Sequence, residues 1–257
     1  MLLRGFFLPV INASQISAGI ILGEAHNKCG ARAESFRYQQ ITTQGNKPDM
    51  KLEVVILAAG QGTRMKSNLP KVLHTVAGKP LLEHVINTAL CLQPVAIHVV
   101  IGHGGEQVRA ALAGYDINWV LQEEQLGTGH AVLQALPAIG ADSVVLVLYG
   151  DVPLTEKETL QGLVERAQTG LSLLTATLDN PAGYGRILRD SDDAVVGVVE
   201  DKDATPEQRE IREVNTGVMA GPQREFATYL PQVRNSNQQG EYYLPDVLGL
   251  AVDEAKK

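Results

Sequence analysis

The chain has 257 residues, 44% of them hydrophobic and 20% charged, which suits one large soluble domain or two small ones and excludes both a disordered polymer and a disulfide mini-protein. Its net charge of -7 argues against a general nucleic-acid binder, because counterion release rewards a basic surface. The longest clean apolar run, Val144 to Leu148, is far below the roughly 18 residues that cross a bilayer, so no membrane span is expected. Cys29 and Cys91 lack the C-x-x-C spacing of a structural zinc site, and a reducing cytoplasm fits them best.

Charge divides the chain before any motif does. Residues 1–50 carry five cations (Arg4, Lys28, Arg32, Arg37, Lys47) against Glu24, Glu34 and Asp49, a balance of +2, which leaves -9 for residues 51–257. The first fifty residues show no sustained period of 2 or 3.6. Met1 to Ile11 hints at a secretion signal, but Pro9 interrupts the apolar stretch and no small-residue cleavage site follows. Met50-Lys51-Leu52-Glu53-Val54-Val55 reads as a more natural start. Residues 1–49 are therefore expected to be an appendage, disordered or a mis-assigned start, and residues 50–257 the functional domain, incomplete at its C-terminus.

From Leu52 onward, strands are expected over Glu53 to Leu57, Ile97 to Ile101, Asn118 to Leu121, Ser143 to Leu148, Leu171 to Leu178 and Val214 to Ala220. Helical stripes lie between them. Leu82, Val85, Ile86 and Ala89 follow the i, i+3, i+4, i+7 rule, as do Leu160, Leu163, Val164 and Ala167. A hairpin is expected from Arg186 to Arg189 and Ala194 to Val199 around Asp190-Ser191-Asp192-Asp193. Thr205, Pro206 and Gln208 mark a capped helix start. Strands such as Val144 to Leu148, apolar on both faces, suit a sheet covered by helices on each side. The expected fold is α/β: a Rossmann-like, open, doubly wound, mainly parallel sheet with an inserted β-hairpin.

The first strand runs into Ala58-Ala59-Gly60-Gln61-Gly62-Thr63-Arg64-Met65, with Pro70-Lys71 after it. Small residues let backbone N–H groups approach a phosphate closely, although glycine is also the ordinary turn residue. Met65 stands where a dinucleotide fingerprint needs glycine or alanine, and the spacing of a Walker A loop is absent. What remains is a glycine loop with two cations, Arg64 and Lys71. Such a pair suits a reaction whose leaving group is a polyanion.

Leu57 to Met65 together with Leu69-Pro70-Lys71-Val72-Leu73 resembles the signature of sugar-1-phosphate nucleotidyltransferases. Further segments follow in order: Leu121-Gln122-Glu123-Glu124-Gln125-Leu126-Gly127-Thr128-Gly129-His130, Leu148 to Pro153, Gly183-Tyr184-Gly185-Arg186-Ile187, Val214-Asn215-Thr216-Gly217 and Gly240-Glu241-Tyr242-Tyr243. Their succession is similar to the N-terminal uridylyltransferase (pyrophosphorylase) domain of bacterial GlmU-type bifunctional enzymes, from about Leu52 to the end of the chain.

The resemblance implies uridylyl transfer from UTP to N-acetylglucosamine 1-phosphate, giving UDP-N-acetylglucosamine and pyrophosphate for cell-wall precursors, with Mg²⁺ as cofactor. It implies that Arg64 and Lys71 are catalytic, and that Leu57, Ala58, Ala59, Gly60, Gln122, Gly127 and Thr128 hold the uridine. Tyr149, Gly150, Gly185, Glu200 and Asn215 map to sugar and phosphate contacts, and Asp151 to a metal ligand. Asp151 also ends the most apolar strand, where a carboxylate beside phosphates suits Mg²⁺; the alternative is a helix cap near Thr155. Glu200 alone would read as part of the solvated run Glu200-Asp201-Lys202-Asp203.

His74, His84, His98, His103 and His130 form no zinc-helix pair and read as structural or peripheral, and Cys91 as a small core residue. The expected partners are the two substrates, with no nucleic acid or membrane. The family's trimer rests on a hexapeptide-repeat acetyltransferase domain of which no repeat appears here, so a trimer is not expected of this stretch. Two alternatives stay open: another sugar or base, or a nucleotide-sugar-binding fragment without turnover.

Overall fold

A computed structural model describes residues 16–20, 51–60, 67 and 69–255. In chain order the strands are β1 (Ile16–Ile20), β2 (Leu52–Leu57), β3 (Thr75–Val76), β4 (Lys79–Pro80), β5 (Ala96–Ile101), β6 (Asn118–Leu121), β7 (Val144–Tyr149), β8 (Ser172–Thr177), β9 (Arg186–Arg189), β10 (Val195–Val199) and β11 (Glu213–Pro222). The helices are α1 (Leu81–Leu90), α2 (Gly105–Ala111), α3 (Thr128–Ala135), α4 (Lys157–Arg166), α5 (Pro206–Arg209), α6 (Gln223–Tyr229) and α7 (Asp246–Ala255).

The main sheet has the order β1-β8-β11-β7-β2-β5-β6, with the β9-β10 hairpin attached through β11. Strands β7, β2, β5 and β6 are parallel. Strand β11 is antiparallel to both β7 and β8, and β1 is antiparallel to β8, so five of the seven strands in this order point the same way. After β2 the chain adds β5 and β6 on one side, then returns through α3 to place β7 on the other. That reversal opens a crevice beyond the carboxyl ends of β2 and β7, where open α/β sheets receive ligands.

The alternation of side chains explains why both faces are covered. In β2 and β7, Val54, Ile56, Leu146 and Leu148 enter one apolar cluster with α1, α2 and α4. Their neighbours Val55, Leu57, Val145 and Val147 enter a second cluster with α3, α6 and α7. Every residue of β2 is buried, as expected of a strand between two helical layers. Truncating a fully buried leucine such as Leu146 to Ala would cost about 2–5 kcal/mol.

Helix α1 buries the stripe Leu82, Val85, Ile86 and Ala89. Cys91 lies just past its end and off that stripe, and it is exposed, which corrects the expectation of a core cysteine. The capping box at Thr205 forms: its side chain accepts from Gln208 N, and the Gln208 side chain accepts from Thr205 N. Strand β1, inside the segment read as lacking regular structure, pairs with β8 from Ile16↔Ala176 to Ile20↔Ser172. The remainder of residues 1–49, Cys29 included, lies outside the described residues.

At the amino end of the sheet the buried Glu53 ties three strands together. It accepts from Ser143 Oγ (2.6 Å) and Gly140 N (2.8 Å), and it pairs with Nε2 of the fully buried His98 at 2.8 Å. Burial alone would raise its carboxyl, but the bonds from Ser143, His98 and Gly140 together hold it below the usual carboxylate range.

Candidate active site

The carboxyl ends of the parallel strands converge on the crevice. Gly150 N donates to Leu57 O (2.9 Å), Ala58 N to Val100 O (2.8 Å) and Gln122 N to Ile101 O (2.8 Å), so the ends of β2, β5, β6 and β7 share one rim. Leu57, Ala58 and Ala59 are buried there and Gly60 is exposed. Gln61 to Lys66, and with them Arg64, lie outside the described residues.

Lys71 opens a 3-10 turn, Lys71–Leu73, that follows Pro70 and is pinned by the buried Val72 and Leu73. Anchored this way, its ammonium reaches Asp151 Oδ2 at 2.5 Å. The two side chains are 36% and 26% exposed, so the pair faces the crevice. Helix α4 begins at Lys157 with Glu156 at its N-cap, which removes the helix-capping alternative for Asp151.

On one side of the crevice, Gln122 is nearly fully buried. Its amide nitrogen donates to Gly127 O (3.2 Å) and faces His130 Nδ1 (3.0 Å). Both amide hydrogens are then committed, and the carbonyl oxygen is left to accept from a ligand N–H. His130 must present Nδ1 as an acceptor for this, which makes it a positioning partner that the sequence reading set aside. The only sequence signal was its place two residues after Thr128. Gly127 holds φ +114, and a Cβ there would lie 2.6 Å from Tyr242 O, so a close backbone approach needs glycine. Thr128 is the first residue of α3 rather than its cap, and its hydroxyl accepts from Leu244 N (2.9 Å).

Tyr149 ends β7 and is hydrogen-bonded to Thr128. Burial pushes its hydroxyl well above the ordinary tyrosine range, with the charges of Glu200 and Asp151 pushing the same way. Asn215 N donates to Gly185 O (2.8 Å), and a side chain at position 185 would meet Glu200 Oε1. Glu200 therefore stands beside Gly185 and Asn215 rather than in a solvated run. Burial, and then Asp246, Asp203, Asp201 and Glu241, raise its carboxyl above the usual range.

The pairing of β11 with β8 is interrupted between Asn215 and Met219. Asn215 Oδ1 accepts Gly217 N (2.7 Å), and Thr216 Oγ1 donates to Leu174 O (2.7 Å). Gly217, at φ +86, lies so close under Tyr149 that a Cβ would sit 2.5 Å from the ring. Such irregularities re-aim side chains beside functional sites, and this one was not legible from the residues alone.

The donor set for a cation is small: the described residues hold no group of three or more His, Cys, Asp or Glu suited to a metal ion. A lone, part-exposed carboxylate, already beside a cation, fits Mg²⁺ that draws its remaining ligands from phosphate oxygens and water. No helix among the described residues is long and apolar enough to cross a membrane.

Comparison with known proteins places these features in a lineage. A UDP-glucose pyrophosphorylase crystallised with UDP-glucose superposes with a TM-score of 0.64 at 17% identity, covering 80% of this chain and 88% of the other, a likeness of fold. The chain is 60% identical over 203 residues to the "Bifunctional protein GlmU" of Marinobacter nauticus, covering 79% of this chain and 45% of the relative. It is 61% identical over 204 residues to that of Stutzerimonas stutzeri, again covering 45% of the relative, so it spans less than half the length of these proteins. Residues 54–203 match the model of the MobA-like NTP transferase domain, and with more than half of its length inside that match, the chain belongs to this nucleotidyltransferase family.

Proposed function

We propose that residues 50–257 are a uridylyltransferase domain that transfers the uridylyl group of UTP to N-acetylglucosamine 1-phosphate and releases pyrophosphate. The carrying observation is the Lys71–Asp151 pair, held at 2.5 Å where β2 and β7 part. A fixed cation and a carboxylate at a switch point are what a polyphosphate and its divalent cation require. Likeness to GlmU proteins at 60% identity supports the same reading, and the resemblance of the ordered motifs supplies the sugar.

The acceptor phosphate is already anionic at neutral pH, so the chain need not supply a general base. Its own work is alignment and charge stabilisation. Gln122, held by Gly127 and His130, would offer its carbonyl oxygen to the N3–H of uracil, a group that cytosine lacks. Leu57 to Gly60, Gly127 and Thr128 line the same end. Tyr149, Gly150, Gly185, Glu200 and Asn215 would orient the sugar phosphate, bringing its oxygen in line with the α-phosphate. Lys71, with Arg64 from the adjoining loop, would stabilise charge on the departing pyrophosphate. Asp151 would hold Mg²⁺, which when bound neutralises phosphate charge.

These residues serve no nucleic acid or membrane in this reading, and the domain works in the cytoplasm. Pyrophosphate release by the 257-residue chain, measured with UTP, CTP and TTP against several sugar 1-phosphates with and without Mg²⁺, tests it. Turnover is expected with UTP and N-acetylglucosamine 1-phosphate only when Mg²⁺ is present. Binding of UDP-sugar with no turnover under any condition would select a binding fragment instead.

A further inference from the structure

One segment, residues 237–244, touches both ends of the crevice. Toward the nucleotide end its contacts use the main chain: Tyr242 N donates to Leu126 O (2.8 Å), Gly129 N to Tyr242 O (2.8 Å) and Leu244 N to Thr128 Oγ1 (2.9 Å). Toward the sugar end it grips the turn that carries Glu200. Gln238 N donates to Asp203 Oδ1 (3.0 Å), Gln238 Nε2 to Lys202 O (2.6 Å) and Lys202 Nζ to Gln239 Oε1 (2.9 Å). That turn is closed by Asp203 N and Ala204 N on Glu200 O. From its far side, Arg186, only 2% exposed, pairs with the Asp201 carboxylate (3.0 Å), and Arg209 Nε donates to Asp201 O (3.2 Å).

Between the two ends the segment is braced internally. Asn237 Oδ1 accepts from Gln239 N and Glu241 N (3.2 Å each), Asn237 Nδ2 donates to Glu241 O (2.6 Å), and Gln239 Nε2 donates to Tyr243 OH (2.5 Å). Its polar contacts go to the two substrate-facing loops, to itself and, through the carbonyls of Tyr243 and Leu244, to the first turn of α7. The grip on the Glu200 turn includes the side chains of Gln238 and Gln239, so it can be weakened by substitution without touching the main-chain bonds at the nucleotide end.

We propose that residues 237–244 form a strap that sets the spacing between the nucleotide loop and the Glu200 turn, with Asn237 and Gln238 acting as positioning residues for the sugar end. This rests on the assignment of Gln122 and Glu200 to opposite ends of one substrate. Neither Asn237 nor Gln238 touches the reacting atoms. Gln238 is exposed, so its removal leaves the core intact.

Calorimetric titration of the 257-residue chain with UDP and with UDP-N-acetylglucosamine gives the ratio of their dissociation constants, which isolates what the sugar adds. In Gln238→Ala and Asn237→Ala the advantage of the sugar nucleotide should fall by about three- to tenfold while UDP affinity stays within about twofold. Equal losses for both ligands, or no change in either, would overturn the strap as a positioning device. Amide exchange over residues 200–204 gives an independent reading that needs no ligand: protection should drop in Gln238→Ala, and unchanged protection would sink the inference. A wild-type chain that binds neither ligand would count against the proposed function, and exchange would still decide the strap.

Discussion

Asp246 opens α7 on the wall of a groove of about 860 Å³ shared with Glu200, Asp203 and Asp253. Burial, with a smaller push from Asp203, raises its carboxyl from 3.8 to about 6. The folded state therefore holds a proton that the unfolded state releases between pH 4 and 6, so this group contributes stability at low pH that is lost as pH rises through about 6. At about 1.36 kcal/mol per pH unit, the shift corresponds to at most about 3 kcal/mol at pH 8, and solvent screening of the part-exposed carboxylate brings the penalty well below that. The helix N-terminus opposes it, since an acidic residue there gains about 0.3–1 kcal/mol. Asp246→Asn should therefore stabilise the chain by about 1–2 kcal/mol at pH 8 and by nothing measurable at pH 4. Urea unfolding of both proteins, followed by circular dichroism across that range, reads the difference; relief of Glu200 and Asp203, which Asp246 faces, adds to it with the same sign. A difference that is flat with pH, or that grows toward acid, would refute the reasoning.

Three other outcomes follow from the geometry. Replacing His130 by Ala removes the acceptor that orients the Gln122 amide; UTP affinity should fall by about three- to tenfold, with preference for UTP over CTP eroding, both measured by competition binding. Glu53→Ala strips the partner from His98, Ser143 and Gly140 at once and should cost about 3–5 kcal/mol in urea unfolding, while the crevice at the other end of the sheet keeps its ligand preference. Gly217→Ala forces a side chain into the Tyr149 ring from a left-handed backbone; a loss of about 1–3 kcal/mol is expected, together with weaker sugar-phosphate binding and unaltered UTP binding.

The parallel half of the sheet was readable because buried strands write themselves as apolar runs. Glu53 to Leu57, Ile97 to Ile101 and Ser143 to Leu148 each fall within one residue of β2, β5 and β7. Helices α2 and α6 are seven residues long, too short to build a periodic signal, and β3 and β4 are two residues each. In the site, motif order pointed to Gln122, Tyr149, Asp151, Gly185 and Asn215; the first three lie at or just past the ends of β6 and β7, and Gly185 and Asn215 are joined to each other by a backbone bond. Glu200 looked like a solvated turn because nothing local reveals that Gly185, fifteen residues earlier, packs against it. His130 and the interruption at Asn215 to Gly217 escaped for a similar reason: each matters through a partner distant in sequence or through backbone geometry. Arg64 lies outside the described residues.

Strand β11 is a ten-residue element with two allegiances. Its last four residues, Met219 to Pro222, ladder onto β7 in the core; Glu213 to Asn215 pair with β8 and, at Val214, with β9, and β8 pairs again beyond the interruption with Met219 and Ala220. The interruption breaks the ladder between the two halves, so that the first half also meets the hairpin and the second also meets β7, with β8 common to both. On the proposed assignment, the hairpin, the Glu200 turn and the strand before the interruption can change with the acceptor while the residues proposed to hold the nucleotide stay as they are. Chimaeras that exchange residues 183–215 between two such proteins would carry acceptor preference across and leave base preference with the recipient.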